Sequence, residues 1–389
     1  MFIPKEDADM KKIGKEVLFL PTGEGNPRNG EGTFARLNDG RIMAAYTHYY
    51  GDDWHDHAIA RICAVYSSDE GETWSEPVTL IEKDSEAQNI MSPSLIRLAN
   101  GDLGMVYLRK AVMPDTGIIC MPVFVYSSDE GETWSERVGC GVSDGYYCVI
   151  NDGVTVLRNG RILVPASYYG IRYDAFKTCT LDLGPRKGGV IYIAYSDDNG
   201  KTWDVLPKVI RAPYEDRIGL AEPGIYEYEN GELWVYCRTA YGHQYQSFSK
   251  DNGANWSVPA PNFCFTSPDS PMRVKRVGDI TVSVFNPFGY NCINPNSEEW
   301  GSPKRTPFLC AVSKDDGRSF DTTGKTPANG VMKGFMENLY YIEDDISDSY
   351  CYPAIISTKD GFLVSYYHSN GTPICLNSMK IVKIKRDEL

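Results

Sequence analysis

The sequence predicts an all-β protein, a ring of six four-stranded blades, on three observations. The first is a pattern that recurs five times, S-x-D-x-G-x-(T/S/N)-(W/F). It reads Ser67-Ser68-Asp69-Glu70-Gly71-Glu72-Thr73-Trp74, returns at Ser127 to Trp134 and Ser196 to Trp203, and loosens at Ser249 to Trp256 and Ser313 to Phe320. The copies stand about 55 to 70 residues apart, the mark of a modular array. The second is a set of hairpin signals interleaved with the first pattern, six in all: Asp39-Gly40, Asn100-Gly101, Asn159-Gly160, Asn230-Gly231, Gly278-Asp279 and Asp360-Gly361. Asn-Gly or Asp-Gly between alternating apolar runs is the strongest short-range hairpin signal. The third is composition: 26 Tyr, 36 Gly and 23 Pro with 12% aromatic residues suit many short strands and tight turns, and no long helical periodicity competes.

Taken in order, Glu16-Val17-Leu18-Phe19-Leu20 is a short apolar run that precedes the first hairpin. Each of the first five hairpins is then followed by one repeat, and after the sixth the sequence ends. Each blade is therefore a hairpin plus a second strand pair turning at the repeat. The sixth blade lacks its last strand, which the N-terminal run supplies, closing the ring and removing an open edge. In the repeat, Ser and Asp bond local amides, Gly takes a positive φ, and the aromatic packs the turn onto its blade. Such side chains are committed to their own backbone, so the repeat is structural. The interval from Gly139 to Lys187 reads as a loop insertion, and residues 1–389 as one domain.

Charge and cysteines bound the function classes. Formal charge is −13 with a pI near 5.0, which disfavours nucleic acid and anionic membranes as partners. No apolar run approaches the ~18 residues of a membrane span. The 11 Cys are odd in number and show no C-x-x-C pair or metal-ligand spacing. With no basic and apolar leader at the N-terminus, they point to a reducing cytoplasm. His55-Asp56-His57 offers alternate ligands but lacks a wider metal motif, so neither metal nor cofactor is expected.

The candidate site comes from counting. Nine residues before the hairpin glycines stand Glu31, Ser92, Asn151, Glu222, Asp269 and Tyr352. These are the entries of the innermost strands, which line the channel, so they form a ring at one mouth. The next strand returns to that mouth seven or eight residues after the Gly, bringing His48, Arg109, Arg238, Asn286 and His368 to the same level. All five His (His48, His55, His57, His243 and His368) fall at this mouth or in loops bordering it. Convergent acids, guanidinium groups and a phenol in one concavity mark a site. Tyr49, Tyr50, Trp54, Tyr146 and Tyr147 in mouth loops suit stacking on sugar faces.

The repeat resembles the Asp-box of sialidases and related β-propellers, and the resemblance extends to the ring. Glu222 and Arg238, sixteen apart on the inner strands of blade four, match the Glu and substrate-binding Arg of that superfamily. Tyr352 matches its nucleophilic Tyr, and Asp56 sits where it keeps an acid/base Asp. The resemblance implies a retaining exo-glycosidase in which Glu222 takes the proton of Tyr352 and Asp56 serves the leaving oxygen and then water. Carbohydrate is then the partner. The departures are as informative. Sialidases open blade one with an Arg in F/Y-R-I-P, the first of three that grip a carboxylate; here the ring position is Glu31. The Glu that orients that Arg is replaced by Tyr367-His368. Arg273 is the nearest candidate for the third Arg, with Arg109 as another source of positive charge. Three readings follow: a sialidase-like hydrolase on a terminal sugar, acidic sugars included; another sugar-active enzyme using Glu31 with Glu222 or Asp56; or a non-catalytic glycan-binding propeller.

Overall fold

The computed structural model describes residues 10–113, 117–170, 188–214, 218–287, 305–320, 338–345, 347–369 and 377–389. Strand β1 (Lys15–Leu20) opens the chain but belongs to the last blade. Blade one is β2 (Arg28–Arg36), β3 (Ile42–Tyr49), β4 (Ala60–Ser67) and β5 (Val78–Ile81). Blade two is β6 (Ala87–Arg97), β7 (Leu103–Met113), β8 (Gly117–Ser127) and β9 (Val138–Gly139). In blade three the inner strand is split into β10 (Tyr147–Cys148) and β11 (Thr155–Val156), both paired with β12 (Ile162–Tyr168). Beyond β12 lie β13 (Val190–Ser196) and β14 (Asp204–Val205). Residues 171–187 of the expected insertion fall outside the described residues.

Blade four is β15 (Ala221–Glu227), β16 (Leu233–Arg238), β17 (His243–Ser249) and β18 (Ala260–Thr266). Blade five is β19 (Arg273–Val277), β20 (Ile280–Phe285), β21 (Phe308–Ser313) and β22 (Leu339–Glu343). Blade six is β23 (Tyr350–Ser357), β24 (Gly361–His368) and β25 (Ser378–Lys385), with β1 as its outer strand. The architecture is the six-bladed β-propeller that the repeats predict, closed by the N-terminal strand. Among the described residues no helix is long and apolar enough to cross a membrane.

The core follows from the ring. Each blade is covered on both faces, so its middle strands read as almost continuous apolar runs, such as Ile42-Met43-Ala44-Ala45-Tyr46. Met43 and Ala64 of blade one pack against Leu95 and Met105 of blade two. Phe124 and Val106 of blade two meet Val164 of blade three. The pattern repeats around to Leu363 and Ile381 of blade six, which pack on Phe34 and Val65 of blade one. The core is thus a set of wedges between blades.

The five repeats fold into the same turn. Ser67 Oγ donates to Asp69 Oδ1 at 2.8 Å, Gly71 N donates to Ser67 Oγ at 2.8 Å, and Thr73 N donates to Asp69 Oδ1 at 2.9 Å. Equivalent bonds recur at Ser127, Ser196, Ser249 and Ser313. The bonds from Thr73 hold the exposed Asp69 carboxyl down at about 2. These side chains are taken up by their own turns.

Candidate active site

The site starts from a backbone irregularity shared by four blades. Pairing of the inner strand slips between Gly30 and Thr33, Met91 and Ser94, Ala221 and Gly224, and Cys351 and Ala354. Within each slip one non-glycine residue adopts a left-handed conformation: Glu31 (φ 52°), Ser92 (55°), Glu222 (46°) and Tyr352 (56°). Such a residue costs on the order of 1–3 kcal/mol and persists where the surrounding fold imposes it, often at functional sites. A bulge also re-aims its side chain. Four equivalent bulges therefore bring two carboxylates, a hydroxyl and a phenol together.

They form two linked clusters. In the first, Tyr352 Oη donates to Glu222 Oε1 at 2.5 Å. Arg238 Nη1 donates to Glu222 Oε2 at 2.7 Å and to Tyr352 Oη at 3.3 Å, while its Nε donates to Asp269 Oδ1. Arg305 Nη2 and Nε donate to the Asp269 carbonyl at 2.9 and 3.2 Å, with the guanidinium 5.7 Å from the Tyr352 ring centroid. In the second cluster, Arg28 is the hub. It donates to Glu31 Oε1 at 3.2 Å, Asp56 Oδ1 at 2.6 Å and Tyr367 Oη at 2.8 Å. Ser92 Oγ donates to the other oxygen of Glu31. Tyr367 joins the clusters, its ring edge-on to Tyr352 at 5.8 Å. Gly30 makes room for that ring, since a Cβ there would lie 1.9 Å from Tyr367 Cε1.

Burial and charge divide two of the acids and the phenol. Burial pushes the Tyr352 hydroxyl well above its ordinary range, and the Glu222 charge adds to it, so the phenol keeps its proton at rest. Burial also pushes Glu31 up to about 7, against the pull of Arg28 and the Ser92 bond and with help from Asp56 and Glu222. At Asp56 desolvation acts upward too, but Arg28 and Lys110 outweigh it and hold the carboxyl well below the usual range. The Asp56 side chain stays 63% exposed whereas the Glu31 side chain is 4% exposed. The mouth thus holds an ionised outer acid and a deep acid that titrates near neutrality.

A hydroxyl bonded to a carboxylate beside a guanidinium, at the end of a propeller channel, can be compared with known proteins. The family model described as a BNR repeat-like domain matches residues 40–365, most of the chain. This chain belongs to the BNR repeat-like family. The BNR-repeat propeller is 25% identical to a sialidase of Clostridium perfringens over 250 residues, 58% of this chain and 59% of that one. A sialidase of Paraclostridium sordellii is 24% identical over 252 residues, 58% of this chain and 56% of its own. The match thus spans little more than half of these relatives. Among solved structures, a protein of unknown function from Dyadobacter fermentans superposes with a TM-score of 0.67 at 18% identity, covering 96% of this chain and 99% of its own. The NanB sialidase of Streptococcus pneumoniae gives 0.65 at 12% identity, covering 97% and 71%. The fold and the relatives together place the chain in the sialidase-like superfamily.

Within this BNR-repeat propeller the expected ring residues separate. Tyr352, Glu222, Arg238 and Asp269 converge, and Glu31 and Asp56 meet around Arg28. Asn151 is fully buried and braces the ring from below, its Nδ2 donating to the carbonyls of Gly32 at 2.6 Å and Tyr352 at 3.2 Å. In blade three the left-handed residue is its neighbour Asp152 (φ 54°). Four expectations need correction. Arg273 is 1% exposed and pairs with buried Asp152 at 3.3 Å, so it is tied into the channel wall instead of the mouth. Arg109 is engaged by Asp84 at 2.6 and 2.7 Å on the flank of blade two. His48 bonds Asn29 at 3.0 Å, and His368 bonds Asp348 at 2.6 Å.

The reason for the last three is strand parity. The residues opposite the one preceding each ring position are Thr47, Leu108, Arg238 and Tyr367. His48, Arg109 and His368 are each one residue off, and one residue turns a side chain to the other face. Blade six adds its own shift: Ser357 pairs with Phe362 where Arg36 pairs with Ile42, a loop one residue shorter. Arg28, Lys110 and Arg305 were missed, and Tyr367 was noted only as standing with His368 where the resemblance expects a Glu. Tyr367 and Lys110, whose Nζ donates to the Asp56 carbonyl at 2.5 Å, are the in-phase neighbours of His368 and Arg109. Arg28 offered a signal in the change of charge three residues before Glu31. Arg305 precedes β21 outside both repeats, where no count reaches it.

Proposed function

We propose that this chain is a retaining exo-glycoside hydrolase acting on a terminal sugar, with Tyr352 as nucleophile. The observation that carries the reading is the Tyr352–Glu222 hydrogen bond of 2.5 Å with Arg238 touching both partners. A buried phenol is a poor nucleophile unless a base takes its proton, and Glu222 stands where that transfer needs no rearrangement. Glu222 accepts the proton as Tyr352 Oη bonds to the anomeric carbon and the glycosidic C–O bond breaks. The leaving oxygen takes a proton from Asp56, the exposed acid at the outlet. Water, deprotonated by Asp56, then displaces Tyr352, which recovers its proton from Glu222. Arg238 steadies the developing phenolate and the Glu222 charge. Because Arg28 keeps Asp56 ionised at rest, acid catalysis requires Asp56 to part from Arg28 and take up a proton from solvent when the sugar enters.

Glu31 favours a second reading, in which it is the proton donor and Glu222 the base, because its carboxyl is pushed up to about 7, near a general acid's best range. Aryl glycosides of graded leaving-group ability separate the two. The variant of the true acid, Asp56→Asn or Glu31→Gln, loses turnover steeply on poor leaving groups and little on good ones. Tyr352→Phe and Glu222→Gln test the core of the proposal: each lowers kcat by about 10²–10⁴-fold on the substrate the wild type cleaves. Unchanged turnover in Tyr352→Phe excludes the nucleophile, and glycan binding without turnover makes the propeller a lectin.

A further inference from the structure

The proton donor of the proposed reaction stands on an exposed loop whose backbone is nonetheless tied down. Asp56 lies in the connection from β3 to β4, and its side chain is 63% exposed. Around it five consecutive carbonyls, Trp54 to Ala58, each accept a hydrogen bond. Arg28 Nη1 donates to the Trp54 carbonyl at 3.3 Å and Ala58 N to that of His55 at 2.8 Å. Lys110 Nζ donates to the Asp56 carbonyl at 2.5 Å, Gln88 Nε2 to that of His57 at 3.1 Å and Asn89 Nδ2 to that of Ala58 at 2.5 Å. The last three donors all come from blade two. Asn89 of β6 and Lys110 of β7 are cross-strand partners, so their side chains stand together on one face. The pairing slips between Ala87 and Asn89, which leaves Gln88 in a bulge that re-aims it toward the same loop. Asn89 and Lys110 are 0% and 2% exposed. An ammonium so deeply placed is costly unless it is paired, and among the described residues Lys110 forms no ion pair. It meets the Asp56 carbonyl and, 5.9 Å away, the centre of the Tyr146 ring. A buried charge is thus committed to the backbone of the acid, while the carboxyl of that acid is tied separately to Arg28 at 2.6 Å.

We infer that Lys110, aided by Gln88 and Asn89, is the positioning residue of the acid loop: blade two holds the Asp56 backbone still while the Asp56 carboxyl leaves Arg28 for the leaving oxygen. The inference rests on the reading of Asp56 as the acid. Asp56 then moves by turning about its own side chain, with no rearrangement of the loop. Such control matters, because misplacing a reacting group by about 1 Å can cost about 10²-fold in rate. Lys110 is buried under the loop and reaches no sugar, so its loss falls on kcat and spares KM. Its charge has a second effect. Asp56 faces Arg28 and Glu31 of β2, Tyr49 of β3, Lys110 of β7 and His57 of its own loop. Removing one of these cations weakens the hold on the ionised carboxyl, so the limb of the pH profile set by Asp56 moves to higher pH.

The test uses the full chain with 4-nitrophenyl and phenyl glycosides of N-acetylneuraminic acid, or of the hexose that the wild type cleaves best, each variant at its own pH optimum. Asp56→Asn is the reference, losing turnover steeply on the phenyl glycoside and little on the 4-nitrophenyl one. Lys110→Met is expected to follow it, with kcat on the phenyl glycoside down about 10–100-fold, KM unchanged and the Asp56 limb displaced upward. Deuterium uptake over residues 50–59 rises in the variant while the other blades exchange as in the wild type. Gln88→Leu removes one donor and no charge. It shows the same pattern more weakly and without the pH displacement, and it replaces Lys110→Met if that variant does not fold. Wild-type behaviour in Lys110→Met overturns the inference and leaves the hydrolase intact. So do equal losses on both glycosides with the pH limb unmoved, the result of a merely structural role. If Asp56→Asn shows no dependence on the leaving group, or no glycoside is cleaved, the acid reading fails on its own. Deuterium uptake then decides: a loop that loosens in Lys110→Met upholds the grip of blade two, and one that exchanges as before overturns it.

Discussion

Replacing Glu31 with Gln should make the protein more stable, and the gain should depend on pH in one direction. Glu31 is 3% exposed, and its folded-state carboxyl is raised from 4.5 to about 7. Below pH 4.5 the group is protonated in folded and unfolded chains alike and adds no pH dependence. Between 4.5 and 7 only the unfolded chain releases the proton, so folding stability drains away as the pH rises. Above 7 the drain is complete, at about 3 kcal/mol. The amide introduced by Glu31→Gln does not titrate, keeps an oxygen for Ser92, and leaves Arg28 paired with Asp56 at 2.6 Å. Urea unfolding at pH 5 and pH 8 checks this. The variant should gain about 3 kcal/mol over the wild type at pH 8 and much less at pH 5, with unchanged m. A variant less stable than wild type at pH 8, or a gain equal at both pH values, would show that Arg28 outweighs burial. The account of Glu31 as a costly, functionally placed acid would then be wrong.

Two further outcomes concern the frame that holds the ring. Asp152→Ala strips buried Arg273 and neighbouring Lys275 of the carboxylate they share and should cost about 3–5 kcal/mol by chemical denaturation, only part of it recovered in Asp152→Ala/Arg273→Met, where Lys275 still lacks Asp152; a loss under 1 kcal/mol refutes the carboxylate as the charge that holds the channel wall. Gly30→Ala forces Tyr367 to move, since the new Cβ would stand 1.9 Å from its ring, and should cost about 1–3 kcal/mol in melts while also lowering turnover through the displaced Arg28; an unperturbed melt and rate would mean that Tyr367 has room the packing denies.

The blade count, the turn at each repeat and the closing role of Glu16 to Leu20 were all legible because they are local and periodic. A turn's Ser, Asp and Gly, or a hairpin's Asp-Gly, act within a few residues. The ring was legible for the same reason in three blades: the hairpins of blades one, two and four share a loop length, so nine residues before the Gly reaches Glu31, Ser92 and Glu222 alike. In blade six the loop is a residue shorter, yet the count still lands on Tyr352, because its hairpin Gly opens the strand. The return strand was not legible in the same way. A face alternates with every residue, so an offset of one exchanged Tyr367 for His368 and Lys110 for Arg109.

What the sequence determined by itself was the scaffold and the identity of Tyr352, Glu222 and Arg238 as neighbours in space. Only the tertiary structure decided their chemistry. Arg28 lies three residues from Glu31 but is engaged by Asp56 and Tyr367 from a loop and a blade at the far end of the chain. Arg305 reaches the ring from outside both repeats. The protonation of Glu31 is a property of the closed ring, where burial and the charges gathered from several blades add at one carboxyl. Periodicity encodes where a side chain enters the ring; its charge state depends on neighbours that only closure of the ring brings within a few ångströms.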